Sequence, residues 1–128
     1  MASIFSKIIN GEIPSYKIAE NDKFLAFLDI MPLSLGHTLV VPKQEIDYIY
    51  DLPDGLLAEL MIFSKQVAGK IQKAIPCQRI GITVIGLEVP HAHVHLIPIN
   101  EVSDMNFAKP KLNISQSKLE EIAKLINA

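Results

Sequence analysis

The stretch RIGITVIGLEVPHAHVHLIPI, residues 79–99, organises the reading of the whole chain. RIGITVI (79–85) is apolar and β-branched, residues 86–90 carry Gly86 and Pro90, and HVHLIPI (93–99) is a second apolar run. Two short strands separated by a turn predict an antiparallel hairpin. The second run also holds three of the chain's four histidines in alternation: His91, His93 and His95. Residues i, i+2 and i+4 of a strand share one face, so the three imidazoles point one way. Ala92, Val94 and Leu96 then point the other way, toward a helix. Three buried imidazoles need three sets of hydrogen-bond partners, which plain core packing does not provide.

The same punctuation extends toward the N-terminus. Ser3 is placed to cap a short helix through IFSKII (4–9), which Asn10-Gly11 stops. YKIAE (16–20) and FLAFLDI (24–30) flank Asn21-Asp22-Lys23 and read as a second hairpin. HTLVVPK (37–43), bounded by Gly36 and Pro42, is a further strand. Residues 51–75 form the clearest helix, with Leu56, Leu57, Leu60, Met61, Ser64, Val67, Ala68, Ile71 and Ala74 on one face. Asp51 or Asp54 is its expected cap and Pro76 its end. After a polar loop over 101–114, SKLEEIAKLINA (117–128) places Leu119, Ile122, Ala123 and Ile126 on one face of a last helix.

Short hairpin-linked strands around one long helix predict an α+β fold. The expected architecture is an antiparallel sheet of about five strands with the long helix packed on it, plus short N-terminal and C-terminal helices. Residues 1–128 read as a single domain, with 101–128 forming a C-terminal loop and helix extension.

Composition narrows the function. The chain is 49% apolar and 20% charged, with a net charge of −2, so no basic field for nucleic acid exists. A lone Cys77 excludes an intrachain disulfide and a Cys-x-x-Cys zinc clip. No secretory pattern and no apolar run of membrane-spanning length is present, so no membrane partner and a cytoplasmic location are expected.

Two chemistries suit the alternating histidines. The first is a metal site, because His-x-His places two same-face rings about 6–7 Å apart. His91 and His95, about 13 Å apart by the same rise, cannot both close on one ion with His93. A fourth ligand such as His37 or Glu88 would then be wanted. The second is nucleophilic catalysis on a phosphoryl group, in which one neutral imidazole attacks and its neighbours set tautomers and move protons.

His91-Ala92-His93-Val94-His95-Leu96-Ile97 matches the histidine triad pattern, His-φ-His-φ-His-φ-φ with φ apolar. Upstream, Asp29-Ile30 and Gly36-His37-Thr38-Leu39-Val40-Val41-Pro42-Lys43 follow in the family's order. From about Ile4 to Pro98 the chain resembles the histidine triad (HIT) family, in its branch of nucleoside phosphoramidate hydrolases. The resemblance implies a HIT-like α+β homodimer whose sheet continues across the dimer. It implies binding of a purine nucleotide, such as an AMP or GMP conjugate, and cleavage at its α-phosphate. His93 would attack phosphorus to form a nucleotidyl-histidine. His91, His95 and His37 would orient it, relay protons or contact the phosphate. Asp29 would hold the ribose hydroxyls, and Phe5, Ile8, Phe27 and Ile30 would wall the base and sugar. No cofactor is implied. The cysteine ligands of zinc-binding bacterial relatives are absent, so no metal is expected.

One departure stands out. Many relatives carry Gly-Gln-Ser or Gly-Gln-Thr before the triad, where this chain has Gly86-Leu87-Glu88. The Leu87 side chain donates no hydrogen bond, and Glu88 would repel an anion if it pointed inward. That substitution keeps open a nucleotide-binding module with little catalysis, and it weakens a dinucleoside polyphosphate hydrolase. A His-x-His metal protein is the remaining alternative. The 105–112 loop, just after the triad, is a candidate shaper of leaving-group choice.

Overall fold

The computed structural model describes residues 2–128. The chain runs α1 (Ile4–Ile9), β1 (Lys17–Glu20), β2 (Phe24–Leu28), β3 (Thr38–Pro42), α2 (Asp54–Ala74), β4 (Arg79–Thr83), β5 (Val94–Ile99) and α3 (Gln116–Asn127). Short 3-10 turns precede α2 at Ile49–Asp51 and follow β5 at Val102–Met105. The five strands form one antiparallel sheet in the order β1-β2-β3-β5-β4, as expected for the α+β class. Among the described residues no helix is long and apolar enough to cross a membrane.

Both faces of the sheet are covered, which explains why β2, β3 and most of β5 are buried throughout rather than alternating. On one face Phe24, Ala26, Leu28, Val40, Val94 and Leu96 pack with Leu60, Phe63, Val67 and Ile71 of α2. Leu119, Ile122, Ala123 and Ile126 of α3 join the same core. On the opposite face Leu25, Phe27, Leu39 and Val41 pack with Phe5 of α1. His95 lies across from Leu39 on β3 and from Thr83 on β4. Its side chain therefore belongs to the α1 face, opposite Val94 and Leu96.

Three details differ from the sequence reading. Pro53 holds the N-cap position of α2 and no side chain caps it, so neither Asp51 nor Asp54 serves. Asp54 instead sits in the first turn, where a carboxylate opposes the helix dipole favourably. Met61 is exposed while Phe63 is buried, because the face of α2 that meets the sheet is centred on Leu60, Phe63, Val67 and Ile71. β5 begins at Val94, so His91 and His93 precede the ladder.

Gly36 is the one glycine whose conformation places a candidate residue. Its φ is +92°, and a Cβ there would lie 3.1 Å from Ile75 Cγ1 and 3.3 Å from Pro98 Cγ. Only glycine brings the 31–36 loop this close to α2 and β5 and feeds His37 into β3.

Candidate active site

The four histidines are all buried, and their hydrogen bonds assign a tautomer to each. The backbone N–H of Leu33 donates to His37 Nδ1 at 3.0 Å, so the His37 proton sits on Nε2. That Nε2–H donates to His95 Nδ1 at 3.0 Å. The His95 proton is therefore on Nε2. His93 Nδ1–H donates to the carbonyl of His91 at 2.7 Å, which leaves the lone pair on His93 Nε2. His91 Nε2–H donates to the carbonyl of Pro42 at 2.8 Å, and His91 Nδ1 accepts from the Ser3 hydroxyl at 2.7 Å.

The His37, His91 and His95 rings are neutral, in keeping with this pattern. Burial, reinforced by His95 and Lys111, holds His37 down to about 3. Burial, reinforced by His93 and Lys111, holds His95 down to about 4. Burial also lowers His91, against the Pro42 carbonyl and Glu45, which favour its charged form. The result is a bare nitrogen on His93 beside an N–H on His95, with ring centroids 5.0 Å apart.

His93 and His95 line a cavity of about 590 Å³, a volume within the usual range for small-molecule sites. Phe5, Ile30, Met31 and Leu39 supply apolar wall, and Asp29 supplies a carboxylate. One oxygen of Asp29 accepts from the Met31 N–H at 2.9 Å, and the other lies 3.7 Å from His37 Nε2. Burial pushes the Asp29 carboxyl above its ordinary value, outweighing the Met31 N–H and Lys111.

The residues singled out in sequence fall into two layers. His93, His95, Asp29, Ile30 and Phe5 reach the cavity. His37 supports His95 from behind, and His91, whose carbonyl accepts from His93, is buried outside the cavity lining with its ring against Phe5. Phe27 and Ile8 pack behind Phe5; the Phe5 and Phe27 rings meet edge to face at 5.6 Å. Phe5 also packs edge to face on His93 at 5.0 Å. Leu87 and Glu88 border the cavity at the departure before the triad.

Sequence reasoning did not single out Phe107 and Lys111 individually. Phe107 sits edge to face on His95 at 4.8 Å, and Lys111 Nζ lies 5.1 Å from the Phe107 ring centre. A hydrogen bond from Leu112 N–H to the Pro32 carbonyl, 2.9 Å, ties their loop to the one before His37. Their only prior signal was the position of that loop directly after the triad.

Asp29, His37 and His95 place one ligand atom each within 4.8 Å of one another, the one group of this kind among the described residues. A metal there would have to displace the proton that His37 shares with His95. Glu88 is not part of the group.

The comparisons agree with this geometry. A family model described as the HIT domain matches residues 10–102. An uncharacterised HIT-like protein of Borreliella burgdorferi is 36% identical over 132 residues, covering 97% of this chain and 95% of its own. An adenosine 5′-monophosphoramidase, hnt1 of Schizosaccharomyces pombe, is 34% identical over 134 residues, covering 100% of this chain and 98% of its own. A crystal structure of a HIT-like protein from Bartonella henselae superposes with a TM-score of 0.85 at 32% identity, over 98% of this chain and 93% of that one. Sheet order, histidine arrangement and sequence similarity converge, and the chain belongs to the HIT family.

Proposed function

We propose that the chain is a nucleotide hydrolase that cleaves purine nucleoside 5′-phosphoramidates at the α-phosphate. The observation that carries this reading is the pair of complementary nitrogens: a lone pair on His93 Nε2 and a proton on His95 Nε2. His93 Nε2 attacks phosphorus as the P–N bond breaks, and the leaving nitrogen takes the proton from His95 Nε2. The negative charge this leaves on His95 faces the positive charge that the phosphorylated His93 ring acquires. Water then attacks phosphorus, its proton returns to His95 Nε2, and His93 leaves. Burial keeps His95 neutral, so its Nε2 holds a proton to present to the leaving nitrogen. No cofactor enters either step.

Phe5 and Ile30 form apolar wall for base and sugar, with Phe27 and Ile8 stiffening Phe5 from behind. Asp29 accepts from the ribose hydroxyls, so a 2′,3′-dideoxy substrate should bind more weakly to wild type and equally to Asp29→Ala. The phosphoramidase name of the Schizosaccharomyces pombe relative supports the substrate class.

Two copies pair through β4. That strand is one edge of the sheet, and Ile82 on it and Val84 and Ile85 just after it are exposed, an apolar edge of the kind that recruits a partner strand. A continuous sheet across a homodimer covers it.

The test is AMP release from adenosine 5′-phosphoramidate by metal-free protein, with AMP binding measured in parallel. Release supports the hydrolase. Binding without release favours a nucleotide-binding module, the reading that Leu87 and Glu88 at the cavity rim keep in view. Neither release nor binding contradicts both.

A further inference from the structure

A second cluster lies outside the cavity and converges on the catalytic histidines. Glu45, an exposed residue after β3, accepts the backbone N–H of Ser3 at 2.6 Å and the Ser6 hydroxyl at 2.6 Å, both on Oε1. The Ser6 backbone N–H donates to Ser3 Oγ at 3.0 Å, capping α1. Ser3 is buried, and because the His91 proton sits on Nε2 against the Pro42 carbonyl, Ser3 donates to His91 Nδ1 at 2.7 Å. His91 is thereby held at both ring nitrogens, and its carbonyl is the acceptor that sets the His93 tautomer. Glu45 touches none of the cavity, yet it pins the turn that carries Ser3 and Phe5. Its hydrogen bonds from Ser3 and Ser6 hold the carboxyl down to about 2, so it is an acceptor at any working pH.

We infer that Glu45 is a positioning residue for the nucleophile, acting through Ser3 and His91 on His93. The chain of contacts is continuous: Glu45 fixes Ser3, Ser3 fixes the His91 ring, and the His91 carbonyl aims His93 Nε2. This inference rests on the hydrolase reading for its kinetic consequence but not for its geometric one. A small displacement of an attacking group costs rate more than it costs binding.

The test compares wild type, Glu45→Ala and Glu45→Gln. Turnover of adenosine 5′-phosphoramidate, AMP affinity and the imidazole ¹⁵N–¹H spectrum are each measured. Glu45→Ala should lower kcat by about tenfold or more while AMP affinity stays within about twofold. His91 should change from a single Nε2–H tautomer to a mixture. Glu45→Gln keeps an oxygen for both donors and should restore kcat to within about threefold. Unchanged kcat in Glu45→Ala, an unchanged His91 spectrum, AMP affinity lost in step with kcat, or no rescue by glutamine would each overturn the inference. If wild type releases no AMP, the hydrolase reading fails, and the His91 spectrum of wild type against Glu45→Ala still decides the role of Glu45.

Discussion

His37 Nε2 and His95 Nδ1 lie 3.0 Å apart, joining the start of β3 to β5 by a hydrogen bond between two buried neutral rings. The anchor of this bond is a main-chain group, the Leu33 N–H on His37 Nδ1. A backbone donor does not lose its proton, so the direction of the whole relay is set by the loop conformation. The proton that His95 presents on Nε2 is a consequence of that loop.

If His95 supplies the leaving group's proton, its removal should matter in proportion to how much the leaving group needs one. His95→Ala should lower kcat/KM for adenosine 5′-phosphoramidate by about 10²-fold or more. It should lower kcat/KM far less for adenosine 5′-phosphorofluoridate, since fluoride departs without protonation. Equal losses on the two substrates would remove His95 from that role.

The buried neutral histidines tie stability to pH. The ordinary histidine value is 6.5, whereas folding holds His37 at about 3 and His95 at about 4. Between pH 6.5 and those values the unfolded chain binds more protons than the folded one. Stability therefore falls as pH falls through that window and is not penalised above it. Asp29, raised by burial, works in the opposite sense, adding stability below its raised value and losing it as pH rises. Urea unfolding at about pH 7.5 and about pH 5 should show the decline, with a smaller decline in His37→Gln. Equal declines in both proteins would contradict the assignment.

Gly36→Ala should destabilise by more than about 1 kcal/mol, because alanine resists positive φ and its Cβ meets Ile75 and Pro98. The same change displaces the loop that holds His37, so kcat should fall with the melting temperature. A melting temperature equal to that of wild type would show that the turn has room the geometry does not reveal.

Ile82→Glu places a charge on the exposed edge strand β4. Light scattering should report a dimer for wild type and a monomer for the variant, with near-identical far-ultraviolet circular dichroism. A wild-type monomer would rule out pairing through this edge.

Much of the architecture is legible from local pattern. The Asn21-Asp22-Lys23 turn, the Ser3 cap, the α3 face of Leu119, Ile122, Ala123 and Ile126, and the hairpin of residues 79–99 all form as their sequences suggest. Each is written in a short window of sequence: a cap, a turn, a helical period, or two adjacent β-branched runs. What the sequence concealed depends on contacts made over long separations. His91 is held under α1 by Ser3 and Pro42, 88 and 49 residues away, so alternation alone does not show that its ring is buried outside the cavity lining. Glu45 reads as an ordinary surface acid because its partners, Ser3 and Ser6, lie 42 and 39 residues earlier. Phe107 and Lys111 come from a polar loop with no periodicity, brought to the cavity by its tie to Pro32. Phe27 and Ile8 are apolar in either layer, and only packing places them behind Phe5.

The most direct test of the account is to trap the covalent intermediate. Wild-type protein mixed with adenosine 5′-phosphoramidate is quenched within a turnover, digested and mapped by mass spectrometry under conditions that preserve phosphoramidate bonds. The account predicts an adenylyl group on His93 that decays as AMP appears, and no adduct in His93→Ala. AMP formation without any adduct, or an adduct on His91, His95 or His37 instead, would contradict it.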